Sequence, residues 1–349
     1  MRKNIVLLLL LVWVILSVSF SKEGLRSIYS RPPSQWPAPL VEENLSWTEL
    51  GPLPSGPLAD RTDSLRPLIE LGKTLFFDTR LSGSGKISCA TCHQPKLNWT
   101  DGKEKSIGHE GAVNKRNAPT IQNSWFYSRL FWDGRSKDLQ DQAFAPINSE
   151  TEMHSDMPDV MRRLRAVSGY GKMFTSAFGD AEITPDRMTE AIALFEKTVS
   201  GRKSPFDRFL EGDKKALGKK ELLGLHVFRT RAGCMNCHNG PLFSDNKFHN
   251  NGFSAGDEGL YKVTHRDEDR GKIKTPSLRD VMRTGPWMHN GEQHSIDSIL
   301  ARYNRSSPLP GKPGTRVRNL TPAEINALRA FLDAISAPPI DFSEPNIPG

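Results

Sequence analysis

No cysteine in this chain is left over. Its 349 residues hold four, and all lie in two copies of one pattern, Cys89-Ala90-Thr91-Cys92-His93 and Cys234-Met235-Asn236-Cys237-His238. A secreted framework built on disulfides is therefore unsupported. Alternating apolar and polar positions are scarce, which leaves a mainly α fold with long loops. The net charge of +7 is spread without a run of Lys and Arg dense enough to suggest nucleic acid, so it reads as a basic soluble surface or one that meets an acidic partner or anionic membrane face. With 37% hydrophobic and 25% charged residues the chain can bury two modest domains, and nothing in it suggests disorder.

A long apolar run stands at the N-terminus, from Ile5 to Val18 behind Met1-Arg2-Lys3. A basic start and an apolar middle make residues 1–21 a signal peptide, or a membrane anchor if uncleaved, since no clean A-x-A cleavage site follows and Phe20 is bulky. No cysteine follows to take a lipid. Either reading exports the rest of the chain, to the periplasm, with the anchor form held at the inner membrane.

Two cysteines separated by two residues can add to the two vinyl groups of one haem, and the histidine that follows then reaches the iron. Zinc would need Cys and His from distant segments to converge, and a redox C-x-x-C has no need of His93 and His238. Two covalently bound haem c groups, on Cys89, Cys92, His93 and on Cys234, Cys237, His238, are the expected cofactors.

Residues 22–60, rich in Pro, Ser and Trp, read as an irregular arm on the surface. A helix is expected over Ser64–Phe77, then the turn Ser82-Gly83-Ser84-Gly85 before the first motif. Thr184-Pro185 reads as an N-cap with proline in the first turn, ahead of Met188, Ile192, Phe195 and Val199 on one face. Thr321-Pro322-Ala323-Glu324 reads as a capping box, and a helix around Glu221–Arg229 leads into the second motif. Residues 102–152 read as a long ordered loop, and Ser200–Asp207 as a linker. Those signals divide the chain into one haem domain over 61–201, a second over 202–336 and a tail over 337–349.

From Leu65 to Ile335 the chain resembles the bacterial di-haem cytochrome c peroxidases and their MauG-type relatives, which oxidise tryptophan in a protein substrate. The likeness is carried by Leu75-Phe76-Phe77-Asp78-Thr79-Arg80-Leu81-Ser82, by Ser88 with the first motif, and by Arg116-Asn117-Ala118-Pro119-Thr120. It continues through Phe131-Trp132-Asp133-Gly134-Arg135, Ser204-Pro205-Phe206-Asp207-Arg208, Asn239-Gly240-Pro241 after the second motif, and Thr275-Pro276-Ser277-Leu278-Arg279. The resemblance implies two cytochrome c-like domains, peroxide reduced at the N-terminal haem and electrons relayed through the C-terminal one.

Carried over residue by residue, the resemblance makes His93 and His238 the proximal iron ligands and Glu152 the acid/base beside peroxide. Gln142 would line the same pocket and Trp132 would lie between the haems. His109 would be a reversible sixth ligand of the first iron. Asn117, Thr284 and Pro286 fall at the positions of a calcium ion between the domains. Where the peroxidases carry a methionine ligand to the second haem, this chain has Tyr303, as MauG-type enzymes do; Met288 falls on the wrong side of His289. A tyrosinate would lower that haem's potential. Two features depart from MauG: His109 is present, and Ala232 stands where MauG has a surface tryptophan. The partners implied are hydrogen peroxide and either a small cytochrome c or copper protein as donor or a protein substrate, in a monomer or homodimer. A two-haem electron carrier without enzymatic activity is the remaining reading.

Overall fold

A computed structural model describes residues 24–254, 256–305, 318–339 and 341–349. The signal or anchor segment lies outside the described residues. Among those described, no helix is long and apolar enough to cross a membrane. The α-helices are α1 (Leu25–Tyr29), α2 (Arg66–Phe77), α3 (Cys89–Cys92), α4 (Leu139–Asn148), α5 (Met157–Arg165), α6 (Ser168–Phe178) and α7 (Pro185–Glu196). They continue as α8 (Pro205–Leu210), α9 (Lys219–Arg229), α10 (Tyr261–Thr264), α11 (Ile296–Arg305) and α12 (Pro322–Ala334). β1 (Phe248–His249) and β2 (Ile273–Lys274) form an antiparallel pair with Phe248 opposite Lys274. The fold is mainly α, and its strands serve to place the residues around them.

Two apolar cores organise it. In the first, α2 crosses α7; in the second, α9 crosses α12. Each crossing is made at a glycine. A Cβ on Gly72 would lie 1.8 Å from the Ala191 carbonyl oxygen, and one on Gly224 2.0 Å from that of Ala327. Backbone therefore meets backbone, and an aromatic ring four residues further on, Phe195 or Phe331, closes each crossing. Phe195 packs against Phe76 and Trp99; Phe331 packs against Phe206, Phe228 and Phe243. The two lobes thus share a helix crossing as well as a motif, and that relation is invisible in the spacing of their residues.

The expected caps are formed. Thr184 Oγ1 accepts from the Arg187 N–H at 3.3 Å, and Thr321 and Glu324 cap each other reciprocally. Three readings need correction. The supposed loop over 102–152 contains α4, whose Leu139, Ala143 and Ile147 face the interior while Pro146 in its last turn made it look irregular. Ser200–Asp207 is no loose linker: Ser204 and Asp207 are buried, and Asp207 meets Arg279 at 2.7 Å. That guanidinium also donates to the carbonyls of Gly51 and Pro241, joining the arm to the loop after the second motif. Nor does the N-terminal arm lie on the surface. Tyr29 and Leu50 are each 1% exposed and belong to the second core, with Tyr29 OH hydrogen-bonded to His226 Nδ1 at 2.9 Å. The C-terminal tail runs the other way: Phe342 stacks on Phe77 and meets Trp99 edge-on, within the first core.

Candidate haem sites

The capping box Ser88–Thr91 starts α3, and this short turn holds the first motif at the wall of a cavity of ≈ 680 Å³. Cys89 and Cys92 form no disulfide. Burial pushes both up, Cys92 to about 11, which keeps them protonated and argues against a redox dithiol. His93 Nδ1 lies 3.1 Å from the Trp99 carbonyl oxygen, which leaves Nε2 for a metal, and burial holds the imidazole neutral. A paired thiol and an oriented neutral imidazole fit a c-type haem.

Gln142, from α4, and Glu152, from the turn after it, both line this cavity. Burial raises the proton affinity of Glu152, with Arg135 working against it. His109 does not line the cavity. Its ring stacks on His154 with centroids 4.6 Å apart, while its backbone N–H donates to the Glu152 carbonyl. In this arrangement Gly108 forms the cavity wall and the His109 imidazole stands behind it against His154. Glu196 is a wall residue that the sequence reading missed. It is 3% exposed, its Oε2 has no hydrogen-bond partner among the described residues, and burial raises its carboxyl to about 8. A signal existed: Glu196 follows Ile192 by one helical turn, a carboxyl on the apolar stripe of α7.

A second cavity, ≈ 270 Å³, is lined by Cys234, Cys237, His238 and Tyr303. His238 Nδ1 lies 3.0 Å from the Phe243 carbonyl, repeating the geometry of the first site. Burial likewise pushes Cys234 up, to about 12, and keeps His238 neutral. Tyr303 comes from α11, is half-buried, and has its hydroxyl 2.8 Å from Asn251 Nδ2. Met288 is on the same wall. So is His249, missed in the sequence: burial opposes its charge, yet the Asp245 carboxylate at 2.6 Å and Cys237 raise it to about 10.

Trp132 lines both cavities and is 9% exposed, its Nε1 donating to the Asn117 carbonyl at 2.9 Å. Lys274 lines both as well. Burial lowers its ammonium to about 7, with Asp133 opposing, and its Nζ lies 4.0 Å from the centroid of the Tyr127 ring. Asn117, Thr284 and Pro286 share the wall of the second cavity. The Asn117 side chain donates to the Lys103 carbonyl, and no group of three or more His, Cys, Asp or Glu able to hold a metal occurs among the described residues. What that wall offers calcium is carbonyl and hydroxyl oxygen, the right donor type without a carboxylate.

Two cavities, each walled by a C-x-x-C-H motif and meeting at one tryptophan, define a two-haem cytochrome. Comparison with known proteins agrees. The family described as di-haem cytochrome c peroxidase matches residues 66–215. The chain is 37% identical over 290 residues to the methylamine utilization protein MauG of Methylophilus methylotrophus, covering 80% of this chain and 85% of that protein. It is 36% identical over 301 residues to the cytochrome c551 peroxidase of Nitrosomonas europaea, covering 84% and 87%. The crystal structure of a MauG-like protein associated with microbial copper homeostasis superposes with a TM-score of 0.69 at 27% identity, over 86% of this chain and 93% of that one. This chain belongs to the di-haem cytochrome c peroxidase and MauG family, a family of oxidoreductases with two haem cofactors.

Proposed function

We propose that this protein is an exported, periplasmic di-haem c enzyme that reduces hydrogen peroxide in its first cavity and draws electrons through its second. The observation that carries this reading is the pairing of Glu152 and Gln142 with His93 around one cavity, with burial raising the proton affinity of Glu152. When bound, the first haem supplies the iron at which peroxide is held and reduced. Cys89 and Cys92 would anchor it by thioether bonds, and His93, oriented by the Trp99 carbonyl, would bind its iron. Glu152 takes the proton from the inner peroxide oxygen and returns it to the outer one, so that the oxygen leaves as water. A carboxyl of raised proton affinity suits both halves of that transfer. Gln142 orients the peroxide by hydrogen bonding, and Trp132 connects the two sites.

Cys234, Cys237 and His238 would hold the second haem, and Tyr303 would offer its iron an oxygen ligand. That last assignment favours a second reading, in which oxidising equivalents are passed to a tryptophan of a protein substrate as in MauG-type enzymes. A small cytochrome or copper protein is the donor in the first reading. Calcium on the carbonyls near Asn117, Thr284 and Pro286 belongs to both.

Peroxide consumption by the haem-loaded protein tests the first assignment. Glu152→Gln is expected to lower it by roughly 10²–10⁴-fold, the usual worth of a positioned acid/base, with both haems retained. Wild-type turnover in that variant would remove Glu152 from the mechanism and favour another acid/base. His109→Ala should leave the peroxide rate of the fully oxidised protein unchanged; a marked activation would restore the gating role of His109.

A further inference from the structure

Asn251 lies two residues beyond β1, on the wall of the second cavity, and its amide has only one workable orientation. Its Oδ1 accepts the Phe253 backbone N–H at 3.1 Å, so its NH₂ group must face the Tyr303 hydroxyl, 2.8 Å away. Reversing the amide would set two donors against each other. Tyr303 OH thus receives a hydrogen bond, while its own proton finds no acceptor among the described residues. Phe253 closes the other side, its ring meeting that of Tyr303 edge-on with centroids 5.0 Å apart, and Arg302 covers Phe253 at 4.1 Å. A phenol in water would both donate and accept. The Asn251 N–H therefore meets the same phenol oxygen that would bind the second iron.

We infer that Asn251 is a positioning residue that holds the Tyr303 oxygen toward the second iron and sets how strongly it donates. This inference rests on the proposal that Tyr303 is the distal ligand, and it adds what governs that ligand. An N–H pointed at a phenolate draws charge away from the metal, so a Tyr303 bonded to Asn251 stabilises the ferric iron less than a bare tyrosinate does. The potential of the second haem then lies higher than a tyrosinate alone would place it. The short loop from His249 to Phe253 holds the donor in place, and the His249–Asp245 pair at 2.6 Å ties the start of that loop to the segment after the second motif.

The two assignments fail separately. In the holoprotein with two haems per chain, Tyr303→Phe should abolish the iron–phenolate vibrations in the resonance Raman spectrum. If the spectrum of the second haem is unchanged in that variant, Tyr303 is not a ligand and the proposal falls with it. If the vibrations are lost, Asn251→Val is the decisive variant. It should keep them while the midpoint potential of the second haem falls by more than any change at the first. Retained vibrations with an unshifted potential would overturn the role of Asn251. Should Asn251→Val not fold with both haems, Asn251→Asp provides the same comparison. It keeps the volume and the acceptor for the Phe253 N–H and replaces the N–H donor with a carboxylate, whose charge adds to the fall in potential, so a potential equal to that of the wild type would refute the inference.

Discussion

Burial alone raises the Glu196 carboxyl to about 8, so at neutral pH it is protonated on the wall of the first cavity. In the unfolded chain the same group titrates near its ordinary value of 4.5. Between those values the folded protein holds a proton that the unfolded chain has released, and stability falls as pH rises across the window. Glu196→Gln should flatten that decline. Thermal unfolding of the holoprotein at pH 5 and pH 8 checks it, and an equally steep decline in the variant would count against the assignment. Asp207 runs the opposite way. Burial opposes its charge, but Arg279 and Ser204 outweigh burial and depress its pKa, so its contribution is present above the ordinary carboxylate range and is lost as pH falls through the folded value. Arg279→Met leaves that carboxylate buried without its cation and should cost about 3–5 kcal/mol in a denaturant titration.

The helix crossings give a sharper contrast. Gly72→Ala or Gly224→Ala drives a methyl group into a backbone carbonyl that cannot move aside without separating α2 from α7 or α9 from α12. Each should destabilise the protein by roughly 3 kcal/mol, at the upper end for an overpacked core. Gly171 in α6 is the control. A Cβ there would have nothing nearer than the Ala181 methyl at 4.0 Å, so Gly171→Ala should stabilise by up to about 1 kcal/mol through helix propensity. Chemical denaturation of the three variants tests the pair and the control together; equal effects at all three would show that helix contact is not what the glycines provide. The caps of α7 and α12 were legible because capping is local. The close approach at Gly72 and Gly224 was not, because nothing in a helical glycine's neighbours in sequence reveals what lies across from it.

At the scale of the molecule the chain ends cross over. The arm after residue 24 completes the core of the second lobe, while the tail beyond α12 returns to the first. Phe342 is held there by Phe77, Trp99 and Phe195, with Lys73 Nζ 4.7 Å from its ring centroid, and Arg80 donates to the Pro348 carbonyl at 2.6 Å. Trp99 is also the residue whose carbonyl orients His93, so the tail supports the wall of the first haem site from behind. Phe342→Ala should destabilise the first lobe by ~2 kcal/mol, less than a fully buried ring because Phe342 is only half-buried. Limited proteolysis provides the check: cleavage should appear first within residues 61–201, and a first cut in the second lobe would refute the strap.

By itself the sequence determined what is chemically local. Two C-x-x-C-H motifs prescribe two haems because attachment and proximal ligation need only adjacent residues, and ordered family motifs around them carried the expectation for Glu152, Gln142, Trp132 and Tyr303. Tertiary structure alone decided that Glu196, Lys274 and His249 stand on the cavity walls, that the His109 ring stacks on His154, and that Asn251 offers a donor to Tyr303. Burial, electrostatic partners and the direction of a hydrogen bond are relations between segments far apart in the chain. They exist only once α7, the β1–β2 pair and α11 have been packed around the two cavities.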